Sequence, residues 1–574
     1  MKKRLLALVL ALVLLVTLFA GCNKPSGSGD VQEPNQGGSQ SSNKEDKNDK
    51  KEENVTLTIL MHGGATTSGV QDDAVTKAVQ EKLGITMDII TTSGMDLDTT
   101  LNAMIASEDV PDIVVAVTPA QGQLLLESEV IIPLTELVEK YAPHIKESKN
   151  AQAGMYLNRE YTYVTESGED YFIPVLSGNN YIAGTPQVAA NIRWDLYEQI
   201  GMPEVKNIDD LLNVLKQMQG ACPETEDGRK VYAISGSLGD GAWNNWSLTA
   251  IEAAIGVRRV HNGGLVYLST ADPTQILNGY EGENAPTWRL FRLFNKAYQM
   301  GILDPDAATM MHDQYWEKLM TGTALYCPFD LTGAQVNGDP AQFFLPVAFS
   351  EFENDSFTCS YANSAGQFNY AISATCKHPE KAIELLDYIW SAEGAYLFAN
   401  GSLEGGNWEM VDGNPQLKAE YVEGVNAGTI EGPLFSNFVG EYVNPENGQP
   451  YNLTATDYYY NVYRTTDATK AYCEKYGVDS PLENFTKAEH HVFDTAWQLA
   501  LPKLEGDLKD KSDAIQEYAL TYLTKMVYAK SDAEFEAMRQ EFMETVNAMG
   551  AQEVYAFYAE NYGARAAEMA KYLG

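Results

Sequence analysis

Histidine and cysteine are scarce in this chain of 574 residues, at seven and six. The cysteines form no CxxC pair and no HExxH helix occurs, so the usual zinc spacings are missing. Neither a phosphate-cradling P-loop nor the GxSxG elbow of serine hydrolases is present. The scattered histidines suggest no shared general base. Basic residues are the second shortage: 40 Lys and Arg stand against 79 Asp and Glu, a formal charge of −39. That balance argues against nucleic acid, whose backbone is gripped by clustered Lys and Arg. It also disfavours anionic headgroups as a direct ligand. A membrane span is missing too, because the apolar run Leu5 to Ala20 falls short of the roughly 20 residues that spanning requires.

What that run does suit is a signal-peptide core. Lys2, Lys3 and Arg4 precede it, and the small pair Ala20-Gly21 closes it. The block Phe19-Ala20-Gly21-Cys22 resembles the bacterial lipobox, with Phe19 where Leu is usual. The resemblance implies a signal peptide over 1–21, then cleavage and acylation of the Cys22 thiol; the alternative is an ordinary secretory signal with an incidental cysteine. Two or more acyl chains, at ~0.8 kcal/mol per buried CH₂, anchor stably where one does not. Residues 23–53 contain no Leu, Ile, Phe, Tyr, Trp or Met and end in KEDKNDKKEE. Such a segment cannot bury enough apolar surface to offset chain entropy, so 22–53 is expected to be a lipidated cysteine with a disordered tether. Its r.m.s. span would be roughly 30 Å. Removing three N-terminal cations takes the charge from −39 to −42.

Five cysteines remain, Cys222, Cys327, Cys359, Cys376 and Cys473, an odd number that cannot all pair. One bridge, such as Cys327 to Cys359, is left open. The chain is 44% hydrophobic and richer in Tyr than Phe, a globular composition, and the body from Val55 is long enough for two to four domains. VTLTILM and ITMDII alternate as strands, and Val75, Val79 and Leu83 give the helix between them an apolar stripe ending at Gly84. LDTTLNAMIAS then leads through Pro111 to the buried-looking strand DIVVAV. A β-α-β-α-β order predicts a mostly parallel sheet under helices, with ligands at loops beyond the strands' carboxyl ends. Those loops begin at His62 and Thr118.

Further landmarks, in order, are VPDIVVAV, VIIPLTELVEKYAPHIKE, GEDYFIPV, NIRWDLYEQIGMPEVKNIDDLLNVLKQM, MGILDPDAATM, HPEKAIELLDYIWSAEG and GSLEGGNWEMVDGNP. Their order over several hundred residues resembles the extracellular solute-binding proteins of carbohydrate ABC importers, especially the long Gram-positive lipoproteins. The resemblance implies an α/β, two-lobed periplasmic-binding-protein-like (type II) fold with a ligand cleft between lobes. One lobe would comprise 54–174 plus about 367–406; the other 175–366 plus about 407–574, including the helical C-terminal region. It implies a partner set as well: a neutral oligosaccharide or other small solute, permease subunits, and the membrane through the lipid anchor only. The protein is expected to be a monomer on the extracellular face, without cofactor and without enzymatic activity.

Sugar capture needs flat aromatic faces for the CH side of a ring and a few polar groups for hydroxyls. GDGAWNNWSL offers Trp243, Asn244 and Trp246, at a place in the chain order where the resemblance implies stacking aromatics. Phe329 and Asp330 end a predicted strand, Trp408 and Glu404 frame a Gly-rich turn, and Tyr361 lies in CSYANSAG. His62 and Thr118 follow from the strand-end rule alone. Trp288, Trp390 and Trp497 sit in helical patterns and are expected in the core. DYYYNVYR is expected to be a helix face. Long members of the family carry a calcium loop after the helix matching NIDDLLNVLKQM; here that region reads ACPETEDGRK. Glu224, Glu226 and Asp227 do not compose the six to eight oxygens that calcium takes, so no metal is expected. Two competing readings are the same fold with a peptide or other solute, and a surface-anchored polysaccharide-degrading enzyme. The enzyme would need two opposed carboxylates, and a pair such as Glu404 and Glu409 arises by chance among so many acids.

Overall fold

The computed structural model describes residues 54–572 except 63–67, 93–96, 179–182, 185–187, 240–244, 330–335, 340, 350–354, 360–367, 404–405, 431, 433–434 and 487–489. The lipobox, Cys22 and the tether lie outside the described residues. Strands in chain order are β1 (Val55–His62), β2 (Gly69–Val70), β3 (Ile85–Thr92), β4 (Ile113–Ala116), β5 (Ile173–Pro174), β6 (Val188–Arg193), β7 (Val257–Arg259), β8 (Val266–Ser269) and β9 (Ile276–Asn278). They continue with β10 (Tyr326–Phe329), β11 (Phe344–Pro346), β12 (Asp355–Cys359), β13 (Asn369–Ile372), β14 (Trp408–Val411), β15 (Asn414–Leu417) and β16 (His490–Asp494).

The first sheet has the order β2-β3-β1-β4-β13-β5. β1 pairs in parallel with β3 and β4, and β13 runs antiparallel to β4 and β5. The Ala74–Leu83 helix starts where the Asp73 carboxylate accepts the Val75 and Thr76 N–H groups, and it stops at Gly84 in the left-handed region, φ 67°. Its Val75 and Val79 are buried on the sheet, as the apolar stripe predicts. All four residues of β4 are buried, the mark of a strand covered on both faces. Asp112 locks the edge of β4 to β1 by accepting from the Thr58 N–H and hydroxyl, both at 2.8 Å.

A second core forms around β6, whose six residues are all buried and which pairs antiparallel with β10 and β11. Trp194, Trp288, Phe291 and Phe294 are its largest fully enclosed side chains besides tyrosines. The C-terminal helices Gly506–Met526, Asp532–Ala548 and Ala551–Met569 pack onto this core. Phe542 meets the Trp288 ring edge-on at 5.6 Å, and the Asn295 amide donates to the carbonyls of Val527 and Ala529. A helical C-terminal region was expected, and its amphipathic spacing is satisfied by this packing. Trp390 is buried in the first core and Trp497 is half-buried in a smaller cluster.

Among the described residues, three stretches of chain lead from one core toward the other. Val175 leaves β5 toward β6, Phe368 leads into β13, and the chain passes from Leu453 to Tyr472, which buries beside Trp194. The first two crossings touch: the Val175 N–H donates to the Phe368 carbonyl. Both carry bulky residues in the left-handed region, Leu176 at φ 56° and Phe368 at φ 50°. Such a conformation costs roughly 1–2 kcal/mol and persists only when neighbours enforce it. Val439 and Gly440 do so by accepting the Leu176 and Ser177 N–H groups. Phe435, Phe438, Val439 and Tyr451 themselves bury in the first core. The third crossing lies on the first, with the Tyr460 ring against Gly184; at φ 72°, a Cβ there would approach that ring to 2.2 Å.

A further contact ties the Ala551–Met569 helix to the first body. Arg565 donates to the Ala500 carbonyl and lies 4.8 Å from the centroid of the Tyr161 ring, while Tyr156 and Tyr572 stack at 3.8 Å.

His261 supplies an acid-sensitive point in the second core. Its Nδ1 accepts the Gly263 N–H at 3.1 Å, so the ring proton sits on Nε2 and points at the Ser512 hydroxyl, 3.0 Å away. Burial, reinforced by the Arg259 charge and opposed by Asp513, lowers its pKa to about 4. The unfolded chain titrates near 6.5, so it takes up this proton first as pH falls. The neutral ring's contribution is therefore complete above about pH 6.5 and lost progressively toward pH 4, about 3 kcal/mol in all. Comparing urea midpoints at pH 7, 5.5 and 4, His261→Gln should show a flatter decline than the parent chain; parallel declines would remove His261 as a cause.

Candidate functional site

Parallel pairing brings the carboxyl ends of β1, β3 and β4 to one edge of the first sheet, at His62, Thr92 and Ala116. Antiparallel β13 begins at the same edge, with Asn369 opposite both Ala116 and Pro174. Asn369 is fully buried and accepts from the Asn158 amide at 2.7 Å; it also bonds the Tyr163 hydroxyl. Burial pushes the Tyr163 phenol far above its ordinary value, so it remains a neutral hydrogen-bonding group. Asn158 opens a π-helical turn, Asn158–Thr162, a local distortion often found at functional sites. Sequence reasoning missed this polar group because its members are far apart in the chain.

Thr118 is exposed at this edge and caps the Pro119–Glu127 helix. Its hydroxyl accepts the Gln121 N–H, the Gln121 side chain accepts the Thr118 N–H, and the Gln121 amide donates to Asp98. His62 ends β1, but its side chain lies outside the described residues.

An equivalent edge exists in the second body. Tyr232 bridges Ala324 in parallel and Ile234 bridges Leu303 in parallel, so the segment after Tyr232 runs in the same direction as β10. Gly239 and the end of β10 at Phe329 therefore lie toward the same side. The Asn245–Ala254 helix has Trp246 in its first turn and packs on β6 and β10. Trp243, Asn244, Asp330, Tyr361 and Glu404 lie outside the described residues, as do the side chains of Trp246 and Phe329. Trp316 was not picked out by sequence reasoning. It stands on the His312–Met320 helix, which precedes β10 and so begins at that edge. Its ring is 40% exposed and stacks with His312 at 6.3 Å, one helical turn away and off the buried Tyr315–Leu319 stripe. That (i, i+4) aromatic pair beside an apolar stripe was the available signal.

Trp408 lies elsewhere. It is only 8% exposed, its indole N–H donates to the Gly401 carbonyl at 2.9 Å, and its ring stacks on Tyr396 at 5.4 Å. It lines a cavity of about 440 Å³ with Ala78, Tyr388, Glu393, Tyr396 and Leu403. This cavity opens between the Ala74–Leu83 and Ala392–Asn400 helices, on a helix-covered flank of the first sheet and not among its strand ends. DYYYNVYR forms a helical turn with Tyr460 buried and Tyr458 exposed.

Among the described residues no group of three or more His, Cys, Asp or Glu is placed to hold a metal ion. In ACPETEDGRK the Asp227 carboxylate accepts from Thr225 and Arg229, which close a tight turn and hold it below the usual carboxylate range. No helix among these residues is long and apolar enough to cross a membrane.

The family model described as "Bacterial extracellular solute-binding protein" matches residues 63–396, more than half of the chain. No curated protein sequence matches. Solved structures with the same fold include an HMO-binding, ABC-transporter-associated solute-binding protein from Bifidobacterium longum infantis: 14% identity, 88% of this chain and 98% of that one, TM-score 0.60. FusA of S. pneumoniae, an ABC-transporter substrate-binding protein seen in complex with kestose, is 17% identical over 89% of this chain and 100% of its own, TM-score 0.57. The N-glycan transport solute-binding protein NgtS of Streptococcus pneumoniae is 17% identical over 90% and 99%, TM-score 0.52. At these identities the likeness is one of fold. This chain belongs to the bacterial extracellular solute-binding proteins, with a two-lobed type II architecture, and its family members are binding proteins of transporters.

Proposed function

We propose that this protein captures a neutral oligosaccharide between two lobes and delivers it to an ABC importer while anchored to the outer face of the cell membrane through acylated Cys22. The observation that carries this reading is the pairing of two separate cores by crossings that touch, with the Asn245–Ala254 helix packed on β6 and β10 of the second core. Such crossings are where a hinge acts, because few residues must change conformation. We take the lobes to divide as the cores do, so that Phe435 to Leu453 moves with the first lobe. Relatives of the same fold are named for HMO, kestose and N-glycan ligands, which supports a saccharide here.

In this mechanism the sugar first lies on one lobe. Trp243 and Trp246 stack on the CH faces of its rings, Asn244 and Asp330 take hydroxyls, and Phe329 and Tyr361 exclude water. Glu404, His62 and Thr118 approach from the first lobe. Closure is driven only by contacts the sugar gains in the closed form. The closed monomer then docks on permease subunits, and no bond in the ligand is made or broken. The net charge of −39 favours display in solvent and a neutral ligand. Calorimetry over a panel of neutral oligosaccharides, with peptides alongside, tests this reading. At least one saccharide should bind with micromolar affinity or better and be recovered intact; binding of peptides alone, or shortened sugar, would contradict it.

A further inference from the structure

The flank cavity holding Trp408 has the composition of a sugar-ring site. Its aromatic floor is the half-buried Tyr396 ring, backed by the buried Trp408 ring stacked on it, and both rings are held in place. The Trp408 N–H is held by the Gly401 carbonyl, while the Tyr396 hydroxyl accepts from the Asn444 amide at 3.4 Å and its ring meets Tyr451 edge-on at 4.9 Å. A preformed aromatic floor costs little ordering on binding.

Glu393 lines the cavity, and its charge is cancelled by Lys82 beside it. Lys82 pairs with Glu393, its ammonium lies 5.5 Å from the Tyr388 ring centroid, and the Tyr388 hydroxyl donates to Glu393 at 3.2 Å. Lys82 holds the Glu393 carboxyl below its usual range, so the acceptor stays ionised. Both ions are about half exposed, leaving lone pairs and N–H groups turned to solvent. A free cation or anion would have to break this pair. A hydroxylated ring can instead accept from Lys82 and donate to Glu393 at once, with its CH face on the aromatic floor. At about 440 Å³ the cavity lies within the ~300–1,000 Å³ range of small-molecule sites.

We propose that this cavity is a second saccharide site, taking a single neutral pyranose on the flank of the first lobe, apart from the cleft between the lobes. This rests on the reading that the protein's ligands are neutral sugars, and it gives the protein a way to hold one glycan unit outside the site that closes.

The test uses the full mature chain labelled with 5-fluorotryptophan, with the Trp408 fluorine signal assigned through Trp408→Phe. Methyl β-D-glucopyranoside and methyl α-D-mannopyranoside are titrated into it, and into a chain carrying Trp243→Ala with Trp246→Ala. A saturable, millimolar movement of the Trp408 signal is expected in both chains. Tyr396→Ala should weaken it at least tenfold, and Glu393→Gln, which leaves the floor untouched, should weaken it several-fold. The proposal is overturned if neither glycoside moves the signal, or if it moves only when Trp243 and Trp246 are intact, which would make it a reporter of cleft closure. Unchanged affinity in Glu393→Gln and Tyr396→Ala would overturn it equally. Failure of the cleft reading would show differently, as unchanged oligosaccharide affinity in the double tryptophan variant.

Discussion

Replacing Trp243 and Trp246 together by alanine should weaken the best oligosaccharide ligand by about 4 kcal/mol, roughly a thousandfold, while leaving the fold in place. Two tryptophans among Gly and Asn are an expensive choice unless their faces are used, since each carries a large apolar surface with one polar handle. Central aromatic contacts of this kind cost about 2 kcal/mol or more each when truncated. The fold should survive because the second core is built from other tryptophans, Trp194 and Trp288, both fully enclosed. The readouts are calorimetric affinity and a thermal melt of the free protein. An affinity within threefold of the parent would remove this segment from the site. A melt lowered by many degrees would mean that the rings are core anchors.

The second large effect concerns what holds that segment. Glu252, near the end of the Asn245–Ala254 helix, and Arg259 on β7 form an ion pair at 3.3 Å, with side chains 2% and 1% exposed. Glu252→Gln leaves the Arg259 charge enclosed without its full counter-charge, and removing one partner of such a pair typically costs 3–5 kcal/mol. Replacing both, as Glu252→Gln with Arg259→Met, should restore much of that loss, because a buried pair also carries a large desolvation penalty. Urea denaturation of Glu252→Gln, Arg259→Met and the double variant checks this. A Glu252→Gln chain as stable as the parent, or a double variant losing the sum of both singles, would show that the pair is not coupled. Because the same helix begins with Asn245 and Trp246, the single variant should also weaken sugar binding at temperatures where it remains folded.

Much of the scaffold could be read from the chain because its signals are local. The Val75–Val79–Leu83 stripe, the Asp73 cap, Gly84 and the uninterrupted apolar run of β4 each state an element within a few residues. The fold followed from the order of many such elements. The site was less legible, for physical reasons. Trp408 follows a glycine-rich turn much as a cleft-facing ring would, yet its N–H bonds Gly401, its ring stacks on Tyr396 and it lines a cavity on the helix-covered flank, none of which a pattern records. The hydroxyl of Thr118 serves a capping box with Gln121, three residues on, a use of the hydroxyl that the strand-end rule does not register. Asn158, Tyr163 and Asn369 meet only because β13 returns beside β4 after a long excursion. Phe435, Phe438 and Val439 lie in a Gly- and Pro-containing stretch without helix or strand period, so their burial in the first core has no periodic signature.

Small-angle scattering of the full mature protein, with and without a saturating neutral oligosaccharide found by calorimetry, tests the central claim most directly. Two lobes that swing together on a sugar should give a smaller radius of gyration in the bound state, reversed when the sugar is dialysed away unaltered. Identical scattering at proven saturation, or a ligand returned in pieces, would contradict it.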